Sequence, residues 1–405
     1  MKKKGETTQL RGRLICLALM ALTVAGILSL HYDADNSYRF VNTESLTYVR
    51  AEVVSVDDEN LQIDSLEPDR MVGTQSLTVR LLEGDSAGQT VSLTNYLTRS
   101  LNVYASVGQT LIVCADEPEN AAPYYTVYSY SRSPSLLVIL LLFVAITVAV
   151  GRAKGLWSLL GLAYTIFIIL FFLVKVIFHG ASPMLAAVGT VAAASFFALC
   201  LLSGMTKKTW TALAGTLLGV ALAGVLFSLF AALLHISGYN IDTAESLLLI
   251  GQSTGLRLKP LLLVAVLITA LGAVMDVAVS ISSSLEEIHR LNPALTSAEL
   301  FKSGLNIGRD MVGTMTNTLI LAYTGTALTT MLLLMGYGYG LTYLINSDYL
   351  AMELAQGVAS TAGVILTVPA TALIAGVSYG GRLSLTAPGA KSVPARRWKK
   401  SYPRF

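Results

Sequence analysis

The sequence predicts an α-helical integral membrane protein with about eight transmembrane helices and one small extracytoplasmic β-rich domain, a barrel or sandwich, between helices 1 and 2. Three observations lead there. The 405-residue chain is 54% hydrophobic and 13% charged, with a mean hydropathy of +0.63, too apolar and charge-poor for a water-soluble domain. Eight apolar runs reach the length that crosses about 30 Å of hydrocarbon at ~1.5 Å per residue. Between the first and second runs, residues 31–132 turn polar and fall into short β-branched and aromatic stretches.

The first run, Leu14–Leu30, follows Lys2, Lys3, Lys4, Arg11 and Arg13, the pattern of a leader or an uncleaved anchor. No small-residue cleavage site precedes His31, so residues 1–30 are expected to be a retained helix with a cytoplasmic N-terminus. In the 31–132 domain, strands are expected near Arg50–Val56, Leu77–Leu82, Thr90–Leu93, Thr110–Cys114 and Tyr124–Tyr130. Asp57–Asn60, Glu83–Asp85 and Val107–Gln109 offer turn chemistry between them, through side chains that bond their own backbone and glycines tolerant of positive φ.

A seven-helix transmembrane domain over 133–380 follows, with spans near Pro134–Val150, Leu156–Phe178, Pro183–Leu202, Thr211–Leu234, Pro260–Ser280, Met311–Leu334 and Glu353–Val377, then a basic cytoplasmic tail over 381–405. Cations alternate as this order requires. Among the short segments, Arg152, Lys154, Lys207, Lys208, Arg290, Lys302, Arg309 and the tail lie on one side and only Arg257 and Lys259 on the other, so both termini are expected inside and 31–132 outside the membrane. Gly215, Gly219 and Ala223 form a small-residue ridge for close helix packing. Asp242 with Glu245, and Thr296 with Glu299, are read as caps of two short interfacial helices.

Composition also excludes chemistries. Cys16, Cys114 and Cys200 lie far apart and the four histidines are scattered, so no metal cluster is expected. No phosphate-binding loop and no nucleic-acid motif occurs, and no cofactor is expected. The expected partners are the lipid bilayer, a small solute or ion, and a protein docking on residues 31–132.

An ionisable group at membrane depth is costly unless paired or hydrated, which singles out Asp276 in the sixth span. Ser280, Ser283 and Glu287 follow on the same helical face. Arg309, Asp310, Thr314, Asn317 and Thr324 form a second stripe on the seventh span. The two are expected to meet in a polar pocket, Asp276 accepting a proton or cation and Arg309 acting as anion contact or counter-ion. For Asp276 this functional reading outweighs a helix-locking network, whereas Arg309 and Asp310 read better as positive-inside and helix-start residues. Lys175 is expected to snorkel, Glu353 to start the last helix, and Pro369 with Thr367 and Thr371 to kink it.

The strings GAVMDVAVSISSSLEE (Gly272–Glu287) and SGLNIGRDMVGTMTNTLILAYTG (Ser303–Gly325) resemble the signature blocks of the YibE/F family of bacterial multi-pass membrane proteins. The similarity extends over 131–226, with GRAKGLW, HGASP and KKTWTALAGTLLGV, and over 346–375. It implies a permease-type membrane protein. Residue by residue it points to Asp276, Ser280, Ser283, Asn306, Arg309, Asp310, Thr314, Asn317 and Thr318. Three functions stay open: a secondary transporter or permease of a small solute or ion; a sensor or assembly protein whose outer domain binds a ligand; and an intramembrane aspartyl protease using Asp276 and Asp310.

Overall fold

The computed structural model describes residues 2–29, 45–118, 122–239, 244–255 and 257–380. The chain divides into two compact units, Asp33–Leu156 and Met1–Tyr32 with Trp157–Phe405. The tail at 381–405 lies outside the described residues, as does Asp242.

The smaller unit holds a curled five-stranded antiparallel half-barrel: β1 (Leu46–Ile63), β2 (Met71–Leu81), β3 (Thr90–Leu97), β4 (Thr110–Asp116) and β5 (Tyr124–Tyr130), ordered β3-β2-β1-β4-β5. All five expected strands form. Alternation places Val49, Ala51, Val53, Leu77, Val79, Leu111 and Val113 on the buried face. Asp57–Asn60 is not the expected turn but part of β1, which continues through two register irregularities and pairs with β2 as far as Ile63. The Asp57 carboxylate accepts from Ser55 Oγ and Thr78 Oγ1 at 2.6 Å each, so its hydrogen bonds run within and across strands rather than closing a turn. Gly84 and Gly108 do occupy turns, at φ 86° and 80°.

Two polar groups sit deep in this unit. Asn95 Nδ2 donates to Gln75 Oε1 at 3.0 Å and to the Val103 carbonyl at 2.7 Å, and the same Gln75 oxygen accepts from the Ala105 N–H. The buried Asp64 carboxylate pairs with Arg70 and, at 3.2 Å, with Arg99. Arg70 beside it, with the Leu66 N–H, holds the Asp64 carboxyl below the usual carboxylate range.

Among the described residues, seven helices are long and apolar enough to cross a membrane. The one over Ser133–Phe178 is interrupted at Arg152 (φ 49°, ψ −136°), where the sequence expectation places the boundary between the second and third spans. The elements are α1 (Lys2–Ser29), α2 (Ser133–Ile168), a π-helical turn (Ile169–Leu173), α3 (Val174–Phe178), α4 (Pro183–Ser203), α5 (Lys207–Leu233), α6 (Ala244–Thr254), α7 (Leu258–Leu291), α8 (Ser297–Gly336), α9 (Leu341–Ile345) and α10 (Asp348–Gly380).

In the larger unit α5, α7 and α10 pack against one another, with α8 on α10 and α4 on α7. The α5 ridge does what its small residues permit: Gly215 faces Thr371, Gly219 faces Thr367 and Val274, and Ala223 meets Gly363. Helix α1 docks on α4, with Cys16 fully buried, Arg13 Nη2 donating to the Leu202 carbonyl at 2.9 Å, and Thr23 Oγ1 lying 3.1 Å from the Tyr164 hydroxyl. Thr296 and Glu299 form a complete capping box, yet it opens α8 itself and not a separate interfacial helix.

Candidate functional site

Asp276 lies on α7 between Val274 and Val277, both buried in the bundle. One helical step of about 100° turns its side chain out of that core. It opens into a cleft of about 620 Å³ between α7, α4 and the Ser158–Thr165 stretch of α2. Ser158, Thr165 and Ser280 are the hydroxyl residues of its lining, and the remainder is apolar or glycine. Among the described residues no cation pairs with Asp276. A carboxylate in such surroundings is either protonated, hydrated or bound to a cation.

The two expected stripes do not meet. Leu285, which faces Gly304 of α8, comes nine residues after Asp276, two and a half turns and hence the opposite side of α7. On α8 the inward face is set by glycine: Gly304 lies against Leu285 and Ala372, and Gly308 against Val368. Asn306, Asp310 and Asn317 are therefore carried to the far side of the helix with Arg309 and Thr314 on its flanks, and these five and Thr318 are exposed. Arg309 Nη1 donates to Asn306 Oδ1 at 3.1 Å, while Thr314 and Thr318 donate to the carbonyls of Met311 and Thr314. The expected pocket between the sixth and seventh spans is thus replaced by one between α7 and α4. For the same reason Asp276 and Asp310 do not form a catalytic carboxylate pair.

The α7 stripe also divides. Asp276 and Ser280 share the cleft, Ser283 continues the face beyond its lining, and Glu287 accepts from Arg290 Nε at 2.9 Å. The neighbouring Ser282 instead is buried, bonded to Thr211 and, at 3.0 Å, to the Lys208 carbonyl. That contact locks α7 to α5. Lys175 Nζ lies 5.7 Å from the Phe171 ring centre, as a snorkelling lysine stem allows.

Glu353 was expected to start the last helix, but Asp348 holds that position in α10. Glu353 is half-buried and lines a crevice of about 130 Å³ beside Tyr323, Thr324 and Gly357, between α8 and α10. Its signal was a carboxylate more than one turn inside an amphipathic helix, beyond the reach of capping.

Helices of membrane-spanning length, a carboxylate open to an apolar-walled cleft and an appended half-barrel define a multi-helix protein with the composition of a membrane protein. The chain belongs to the YibE/F-like protein family, whose model matches residues 139–381. No curated protein and no solved structure matches it.

Proposed function

We propose that the protein is a permease or secondary transporter of a small solute or ion in the bacterial cell membrane, with both termini cytoplasmic and residues 31–132 outside. The observation that carries this reading is the Asp276 carboxylate, unpaired among the described residues and facing a 620 Å³ cleft with few hydroxyls. A structural carboxylate at this depth would be expected to have a cation or several donors. An uncommitted one suits reversible uptake of a proton or cation. The alternation of Lys and Arg between loops supports the orientation.

Ion and solute flux into proteoliposomes, driven by a pH or Na⁺ gradient, tests the proposal. Flux with the unmodified chain that falls at least about tenfold with Asp276→Asn is expected. Flux that is equal in the two, or no greater than in empty vesicles across a solute panel, would overturn it.

A second reading, a sensor or assembly protein, is favoured by one feature of the half-barrel: Tyr48, Tyr124 and Tyr128 are each more than half exposed, and the Tyr48 and Tyr128 rings meet edge to face at 4.8 Å. Exposed clustered tyrosines suit contact with a partner. Removing residues 32–130 separates the two: preserved flux supports transport, whereas a phenotype lost with the helices still inserted supports sensing.

A further inference from the structure

Helix α8 is 40 residues long, and its Gly304 and Gly308 face is packed while the opposite face is not. That outer face carries Asn306, Asp310, Gly313, Asn317 and Thr324 at helical spacing, with Arg309 at its edge. The threonine hydroxyl is satisfied by its own helix, Thr324 Oγ1 donating to the Ile320 carbonyl at 2.8 Å. The Asn317 amide and the Asp310 carboxylate are different: among the described residues neither has a hydrogen-bond or ion-pair partner. Asn317 stands seven residues, about 10 Å, beyond Asp310 and inside the apolar part of the helix. Hydrocarbon cannot satisfy it.

We infer that this face of α8 is the contact between two copies of the chain, related by a two-fold axis along the membrane normal. The inference rests on the membrane-spanning reading above. Two copies inserted in the same direction bring equal depths together, so each face must complement itself. This one does. An amide is both donor and acceptor, so Asn317 pairs with the partner's Asn317. Adjacent opposite charges let Arg309 of each copy meet Asp310 of the other. Gly313, around which a Cβ would meet nothing, allows the backbones to approach.

The test uses the full chain in native membranes. Carbonate extraction comes first: release of the chain would remove the membrane reading and this inference with it, whereas retention leaves only the contact in question. The chain is then diluted in lipid vesicles and its subunits counted by photobleaching. A dimer whose dissociation constant rises about tenfold with Asn317→Leu is expected. A chain that is monomeric at every dilution, or a dimer indifferent to Asn317→Leu, would overturn the contact. Oxidative crosslinking gives a second measure in a Cys16→Ala, Cys114→Ala, Cys200→Ala background. Gly313→Cys should crosslink to itself at least about fivefold more than Val225→Cys, an exposed position on α5. Equal yields, or capture of Gly313→Cys by a different protein instead, would count against a second copy.

Discussion

Gly219 of α5 lies so close to Thr367 of α10 that a Cβ on the glycine would overlap the threonine Oγ1. Thr367 is itself fixed, its hydroxyl donating to the Gly363 carbonyl at 2.7 Å, so neither side has room to yield. Gly219→Ala should destabilise the bundle by about 1–3 kcal/mol through overpacking. Denaturation of the purified protein in mixed micelles would read this as a lowered midpoint, and an unchanged midpoint would show the helices to be farther apart.

The half-barrel should respond to the loss of one buried amide. Asn95→Ala leaves the Val103 carbonyl without its side-chain donor in a dry interior and Gln75 Oε1 with the Ala105 N–H alone, at a cost of about 1–3 kcal/mol. Faster hydrogen exchange across β2 and β3 in the full chain is the expected readout. Exchange no faster than in the unmodified chain would mean that water reaches the site.

Acid should loosen the same unit at Asp64. Its folded carboxyl titrates below the ordinary value, chiefly because of Arg70. The stability it contributes is therefore complete above the unfolded pKa of about 4 and is lost as pH falls through the lower folded value. Exchange protection around Asp64 and Arg70 should fall on acidification below about pH 4, and Asp64→Asn should be less protected at neutrality with a flatter profile there. A variant profile parallel to the unmodified one would assign the acid response to other groups.

Thr296→Ala removes the hydroxyl that accepts from the Glu299 N–H at 3.3 Å at the start of α8. A cost of about 1 kcal/mol, confined to the first turns of α8, is expected. Exchange measured at Leu300 and Phe301 should rise while that of α10 stays as it was.

Much of the architecture was legible because solvent dictates it. Long apolar runs in the sequence match helices, and period-two alternation around Val49–Val53 and Leu77–Leu81 matches strands. Asp57–Asn60 was misread because turn-forming residues also occupy long, bulged strands, where cross-strand hydroxyls satisfy them. At the site, spacing reads Asp276, Ser280, Ser283 and Glu287 as one stripe, and the first two of these line the cleft. What helical spacing could not supply was the rotation of each helix. Polar periodicity shows that α8 has two faces, but the glycines at 304 and 308 decide which one turns inward, through contacts with Leu285, Ala372 and Val368 that no local pattern reveals. Glu353 was lost to a misplaced boundary, since α10 starts five residues earlier than the apolar run.

The docking of α1 on α4 bears on how the polypeptide is made. A leader peptide is discarded without consequence to what remains. Severing this chain after Ser29 would uncover the groove that shields Cys16, strand the Leu202 carbonyl and leave the Tyr164 hydroxyl facing an empty slot. Helix α1 is thus a wall of the bundle, and proteolysis after Ser29 would bare a surface that the neighbouring helices are shaped to cover.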